Sequence, residues 1–289
     1  MRFLTLKGKP QKLTTGFNYK IADAVYCCND LIPELNSFLI NKTCVENQSS
    51  LNLSSKTTFI QHVYDQSINV GERLYKLEVK TNNNNDYLLL ADGNYYQIVK
   101  DSIIAPDKTD PIILLGPALI LNLAIHSVFC FHASACVIND KVFIFLAASG
   151  TGKSTIARFI GESANAYRIA DDIVPVKITN DQTTLLTNFP QLKLTTKQQY
   201  NGQQINKKVH FMFIKKDTKS KVSLSQLNAI ETVKNLISHS IATRLFNTQH
   251  LKNHLDFCYQ LSLQSSCYQV SYQHNSNSLP EFLELLDAL

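Results

Sequence analysis

The chain has 289 residues, of which 44% are hydrophobic and 18% charged, so its composition excludes a disordered tail and predicts one large or two modest globular domains. The formal net charge of +5 and the pI near 8.7 come from scattered Lys and Arg without interleaved aromatic residues, which does not favour nucleic-acid binding. The seven cysteines form no C-x-x-C pair and no secretory signal precedes them, so we expect free thiols in a reducing cytoplasm.

The first 110 residues alternate apolar and polar positions between turn residues, which predicts a small β-rich domain over residues 1–110. RLYKLEVK and DYLLLADGNYYQIV are predicted strands, and Asp92-Gly93 is predicted to close a tight hairpin turn.

The segment PIILLGPALILNLAIHSVFCF, residues 111–131, carries no formal charge over a length that could cross a bilayer. Because Gly116-Pro117, Asn122 and His126 interrupt it, we favour a buried helix over residues 112–128 followed by a strand. A membrane partner is therefore not expected.

From Phe131 the pattern alternates between strands and helices in HASACVI, ND, KVFIFLA, ASGTGKS, TIARFIGES and YRIA, which predicts an α/β layer architecture. Further strands are predicted in DIVPVKI, TTLLT and KKVHFMFIKK. Helices are predicted in SQLNAIETVKNLISHSIATRLF, QHLKNHLDFCYQL and SLPEFLELLDAL, the last with Ser278 as its cap. We therefore predict a second domain over residues 111–289.

A loop between a predicted strand and helix matches the Walker A pattern G-x-x-x-x-G-K-[ST], except that Ala147 replaces the first glycine. That position ends the incoming strand, where a methyl group is often accommodated, whereas Gly150 and Gly152 lie where the backbone must curl around an anion. Lys153 is predicted to neutralise the β/γ oxygens of a nucleotide, and Ser154 to bind Mg²⁺. The predicted phosphate-binding residues are Ser149, Gly150, Thr151, Gly152, Lys153, Ser154 and Thr155.

Nucleotide binding alone leaves open an ATPase, a GTPase and a kinase. A GTPase should contain D-x-x-G and N-K-x-D, but DDIV lacks the glycine, and Ile214 begins IKKD where the base-reading Asn is required. Guanine specificity is therefore not expected.

YRIADD, residues 167–172, is predicted as a strand that ends in adjacent carboxylates, one helix and one loop after Lys153. One acid can hold Mg²⁺ while the other accepts a proton from an attacking hydroxyl; a solvated Asp-Asp turn is the structural alternative. Because adjacent residues of a strand point to opposite faces, the sequence does not decide which of Asp171 and Asp172 is the base.

Two further residues have competing interpretations. His132 is either structural, or it orients an acid or contacts a transferring phosphoryl group. Arg244 either stabilises charge in the transition state or solvates the outer face of a helix.

The order of His132-Ala133-Ser134-Ala135, a hairpin, ASGTGKST and ADD resembles the HPr kinase/phosphorylase superfamily. It more closely resembles the HPr-kinase-related kinases of peptide-natural-product clusters, including those that phosphorylate lasso-peptide precursors. LLGPALILNL and NFPQLKL (residues 188–194) extend the resemblance, which covers roughly residues 85–200.

The resemblance implies an α/β fold with a P-loop kinase core of the HPr kinase/phosphoenolpyruvate carboxykinase type, preceded by the small β-rich domain. It implies an ATP- and Mg²⁺-dependent serine kinase. In that reading Asp171 is the catalytic base, Asp172 the metal ligand, His132 the active-site histidine, and Lys153 and Ser154 the nucleotide and metal residues.

Two departures from the family pattern concern the substrate. Ala147 replaces a loop glycine, and the Gly-rich signature of true HPr kinases is absent from a chain with nine glycines, so HPr as substrate and phosphorylase activity stay open. We expect the acceptor to be a serine hydroxyl of a peptide or small protein, selected with help from the β-rich domain. The alternatives are a nucleotide-binding regulatory module without transfer and a kinase for free serine, and self-association is left open.

Overall fold

The computed structural model describes residues 16–22, 24–28, 32–43, 61–70, 73–100, 102–105, 110–163, 165–187, 189–190, 208–217, 222–273 and 278–289. These residues divide into two compact units. The first takes the described residues up to Val128 together with Ala242–Asn253, and the second takes those of Phe129–Ile241 and His254–Leu289. Residues 111–128, which the sequence analysis placed in the C-terminal domain, cluster with the first unit.

The described residues of the first unit include a three-stranded and a five-stranded antiparallel sheet. One has the order β2-β1-β3, with β1 at Gly16–Ile21, β2 at Ala24–Cys28 and β3 at Leu39–Thr43, and a 3-10 helix at Pro33–Phe38. The other is a meander in which β4 (Gln61–Val70), β5 (Arg73–Thr81), β6 (Tyr87–Ala91), β7 (Asn94–Val99) and β8 (Ser102–Ile104) follow in sequence order. The predicted hairpin is confirmed, since Asp92 and Gly93 join β6 to β7 with φ values of 48° and 80°.

The uncharged segment after the meander is helical. Helix α1 (Pro111–Ile113) continues through a π-helical turn (Leu114–Ala118) into α2 (Leu119–Ile125), and most of its apolar side chains are buried. The predicted buried helix is thus confirmed. It is interrupted at Gly116, the residue before Pro117, where the backbone has a non-helical ψ of −108°. Within the described ranges, none of the helices combines the length and the apolar character needed to cross a membrane.

The second unit is built on a mixed sheet. Its strands are β9 (Phe129–Ile138), β10 (Lys141–Leu146), β11 (Ala166–Thr179), β12 (Gln182–Leu185), β13 (Val209–Lys216), β14 (Ser223–Gln226) and β15 (Ser266–Tyr272). Their order across the sheet is β12-β11-β9-β10-β13-β15-β14. Strands β10, β13 and β15 are parallel, and β9 lies antiparallel between β10 and β11. With its helices, this sheet gives the α/β architecture that the sequence predicts.

The remaining helices are α3 (Lys153–Gly161), α4 (Ala229–His239), α5 (Thr248–Gln264) and α6 (Ser278–Asp287), and a 3-10 helix spans Thr243–Leu245. On one side of the sheet, α3 and α6 bury an apolar cluster that includes Phe145, Ile156, Ile160, Phe282 and Leu286. Phe131 packs instead against Phe211 and against Phe257 of α5. Strand β10 and helix α3 both pack in this apolar cluster, so the two ends of the loop that joins them are held in place.

Three of the sequence predictions are corrected here. YRIA and DIVPVKI form the single strand β11, so the two acids lie within a strand and not at its end, because β11 pairs with β9 both before and after them. The helix predicted over residues 225–246 is shorter, since residues 223–226 pair with β15 as β14 and α4 ends at His239. Ser278 is the first residue of α6, and its hydroxyl donates to the carbonyl of Gln273. Most of NFPQLKL lies outside the described residues.

Candidate functional site

The segment between β10 and α3, residues 147–152, is called here the glycine loop. Gly150 and Gly152 have φ values of +78° and +103°, a region that favours glycine because a side chain there is strained. The carbonyl of Gly152 accepts the first helical hydrogen bond of α3 from the amide of Ile156. The loop therefore curls directly into a helix N-terminus, whose amides attract anions.

Ala147, at the position of the missing first glycine, is only 2% exposed, and its methyl group packs in the apolar cluster under α3. The expectation that this position accommodates a methyl group is confirmed. The carbonyl oxygens of Ala147 and Ala148 accept hydrogen bonds from the Nζ atom of Lys153, at 2.8 and 3.2 Å. The loop thus holds its own lysine in place, and Lys153 is 7% exposed.

The hydroxyl of Tyr272, at the end of β15, donates to the carbonyl of Thr151 at 3.0 Å. This contact fixes the tip of the glycine loop against a neighbouring strand of the same unit. The side chains of Ser154 and Thr155 lie exposed in the first turn of α3. Both are placed to contact an anion at the helix N-terminus.

Two carboxylates of β11 lie opposite β9. Asp171 pairs in register with Ser134, and the Ser134 hydroxyl donates to Oδ1 of Asp171 at 2.6 Å. Nη1 of Arg168 lies 3.5 Å from Oδ2 of the same carboxylate. Asp172 contacts His132 instead, with 3.4 Å between Oδ1 of the acid and Nε2 of the imidazole.

The backbone of β11 departs from regular strand geometry at these acids. A register shift lies between Arg168 and Ala170, and Asp172 has a φ of +119°. A non-glycine residue in this conformation costs about 1–3 kcal/mol, and such strain is concentrated at functional sites. With this irregular backbone, Asp171 and Asp172 both line one pocket. In a regular strand, adjacent side chains would point to opposite faces of the sheet.

These residues line one pocket of about 280 Å³ within the second unit. The pocket brings together most of the residues that the sequence predicts for the site: His132, Ser149, Gly150, Gly152, Lys153, Ser154, Thr155, Asp171 and Asp172, with Ser134 beside them. The glycine loop supplies donors for an anion, and the acids supply acceptors for a proton or a cation.

The hydroxyl and carboxylate oxygens of the pocket fit a magnesium ion that is bound together with a nucleotide. In the described part of the chain, no three His, Cys, Asp or Glu side chains gather as a ready-made metal site. Mg²⁺ in phosphoryl-transfer sites commonly takes only one or two protein ligands and completes its shell with phosphates and water. Ser154 and Asp172, which line the same pocket, are the residues that would hold it.

Three residues in or beside the pocket have no role that the sequence predicts. Ser134 and His132 are two positions apart on β9 and therefore share a face, a signal that could have identified Ser134. Arg168 is a charged residue three positions before Asp171 on β11. His239, the last residue of α4, stacks on Phe213, and burial with the charges of Lys153 and His132 lowers its pKa to about 4.

No sequence signal locates His239, because tertiary contacts place it. The amide of Ile241, just beyond α4, donates to the carbonyl of Cys130, so the end of the helix is bound to β9. Arg244 is exposed in a 3-10 helix of the first unit and not on an α-helix as expected.

Neither a protein-family model nor a curated protein matches the sequence. Among solved structures, the chain is similar to the Hpr(Ser) kinase/phosphatase from Coxiella burnetii. The identity is 12%, the match covers 55% of this chain and 94% of that chain, and the TM-score is 0.33.

Proposed function

We propose that this protein is an ATP-dependent kinase that transfers the γ-phosphoryl group to a serine hydroxyl of a peptide or small protein. The observation that carries the proposal is the presence of Asp171 in the pocket formed by the glycine loop and Lys153. Asp171 is buried, and a carboxylate in such a position requires compensating hydrogen bonds. Phosphate binding alone does not need this acid, whereas transfer to a hydroxyl needs a group that accepts the hydroxyl proton.

The residues divide the work as follows. The amides of the glycine loop and the N-terminus of α3 bind the phosphates, and Lys153 neutralises charge that develops on them. Mg²⁺, held by Ser154 and Asp172, would supply further charge neutralisation when bound. Asp171 accepts the proton of the acceptor hydroxyl while the new oxygen–phosphorus bond forms, the bond to the ADP leaving group breaks, and ADP departs.

His132 has two roles that fit its contact with Asp172. Its imidazole orients that carboxylate, and its exposed edge reaches the pocket, where it can contact the phosphoryl group.

The serine acceptor on a peptide or small protein follows from the resemblance of the motifs to HPr-kinase-related kinases, which also suggests peptide maturation or regulation. The buried free thiols Cys130, Cys136, Cys258 and Cys267 support a reducing compartment such as the cytoplasm.

The test is incubation of the purified protein with Mg²⁺ and γ-labelled ATP in separate acceptor pools: serine-containing peptides, small proteins including HPr, and free serine with other metabolites. We expect label on peptide or protein serine, and loss of that label in the Asp171→Asn variant and in the presence of EDTA. Label on free serine would favour the small-molecule kinase. If the protein binds nucleotide but labels no acceptor and releases no labelled phosphate, a regulatory module is favoured and the proposal is contradicted.

A further inference from the structure

We propose that Ser134 and Arg168 are positioning residues that hold the carboxylate of Asp171 in the orientation required for phosphoryl transfer, an inference that rests on the proposed function. Each contacts a different oxygen of the carboxylate, Ser134 at Oδ1 and Arg168 at Oδ2. Neither residue is needed to bind a nucleotide phosphate in the proposed function.

The Ser134 contact is short and sheltered from water. Ser134 is 1% exposed, and the 2.6 Å oxygen–oxygen distance is typical of a hydroxyl that donates to an ionised carboxylate. Ser134 and Asp171 face each other across the antiparallel β9–β11 pair, so the sheet fixes both backbones. The hydroxyl is therefore a rigid donor to the proposed base.

Arg168 reaches the other oxygen from the same strand. The side chains of Arg168 and Asp171 are 13% and 9% exposed, so this ion pair is much less screened by water than a surface pair. The backbone beside Arg168 is closely packed, because a Cβ atom placed on Gly161 would lie 3.1 Å from both Cβ and N of Arg168. Helix α3 thus presents the glycine loop at its start and supports Arg168 at its end.

The neighbouring pair is held less firmly. The side chains of His132 and Asp172 are 40% and 28% exposed, so water screens their contact more than it screens the Arg168–Asp171 pair. Two donors on opposite oxygens restrict rotation of the Asp171 carboxylate, which is the property that a proton acceptor in a transfer reaction needs. A misplacement of about 1 Å at such a group can reduce the rate by about 10²-fold.

The experiment compares Ser134→Ala, Ser134→Thr, Arg168→Ala and Arg168→Lys with the full-length wild type, using single-turnover transfer at saturating ATP together with ATP titrations. Removal of either donor should lower the transfer rate by about tenfold or more while ATP affinity stays within about threefold. Threonine and lysine, which keep the donors, should recover most of the rate. Cys130→Ala is the matched control, since Cys130 is buried on β9 four positions before Ser134 and pairs in register with Pro175, not with an acid.

Three results would overturn the inference: a wild-type rate in Ser134→Ala, no recovery with threonine, or an equal loss in Cys130→Ala. Phosphate found on Ser134 itself by mass spectrometry would also overturn it, because the residue would then be an acceptor. Crystal structures of the wild type and Ser134→Ala provide a readout that does not depend on activity. A rotated Asp171 carboxylate in the variant is expected, and an unchanged one contradicts positioning, whereas a wild type without any transfer overturns the proposed function instead.

Discussion

The ammonium group of Lys153 is held by the carbonyl of Ala147, six positions before it in the chain, at 2.8 Å. Ala147 is the first loop residue after β10, and Lys153 is the first residue of α3. The lysine therefore closes the loop on itself and keeps its charge beside the pocket. A residue in this position affects both the loop conformation and any phosphate bound there.

We predict that Lys153→Ala nearly abolishes transfer from ATP, by about 10²–10³-fold, because preorganised charge at a transferring phosphoryl group is worth a few kcal/mol. Transfer with labelled ATP is the measurement, and Lys234→Ala, an exposed lysine of α4, is the control for the loss of one positive charge. Wild-type turnover in Lys153→Ala would contradict the assignment of the glycine loop.

The close approach of α3 to β11 gives a second prediction. Alanine normally stabilises a helix by about 1 kcal/mol relative to glycine. At Gly161 the added methyl group would lie 3.1 Å from the Cβ and N atoms of Arg168, and the strand pairing of β11 opposes the required shift. We therefore expect Gly161→Ala to bring no gain in stability in urea denaturation and to slow transfer by displacing Arg168. A full gain in stability with unchanged transfer would show that the contact relaxes freely.

The pH dependence of stability provides a third prediction. His210 is buried between the rings of Phe143 and Tyr268, and its two ring nitrogens have no hydrogen-bond partner among the described residues. Burial, with the charges of Lys208 and Lys141, lowers its pKa from 6.5 to about 4. Because the unfolded chain binds the proton more readily, the stability from neutral His210 is full above pH 6.5 and falls as the pH decreases toward 4.

The expected slope for one such histidine is about 1.4 kcal/mol per pH unit inside this window. His210→Phe keeps a ring between its neighbours and removes the titration, so it should lose less stability than the wild type between about pH 7 and about pH 5. Urea midpoints at the two pH values measure the difference. Equal losses in both proteins would show that His210 does not contribute.

The cysteines give a fourth prediction. Burial raises the pKa values of the Cys130 and Cys136 thiols, and it raises those of Cys258 and Cys267 to about 12. Because the thiolate is the reactive form, these four should resist alkylation in the native protein. After unfolding without reductant, all seven cysteines should titrate as free thiols. A lower count in the unfolded protein would contradict a reduced chain.

The sequence identifies the glycine loop because its chemistry is local: two glycines with positive φ, a lysine and a helix start occur within a few positions. The carboxylate arrangement is not local, since Ser134 and Asp171 are 37 positions apart and meet only through the β9–β11 pairing. The alternation rule left open which of Asp171 and Asp172 faces the pocket. The φ of +119° at Asp172, which allows both to line it, is a strained conformation that no propensity predicts.

In the proposed mechanism Asp171 accepts a proton during phosphoryl transfer while Asp172 serves the metal and nucleotide, and single-turnover transfer with Asp171→Asn separates these two roles. The assay is paired with ATP titrations with and without Mg²⁺, and Asp172→Asn is measured beside it. We predict that Asp171→Asn binds ATP within a few-fold of the wild type but transfers its phosphoryl group about 10²-fold or more slowly, whereas Asp172→Asn weakens Mg²⁺-dependent binding. Full transfer by both variants would contradict this mechanism, because the two acids would then be a structural feature of β11 and not part of a kinase site.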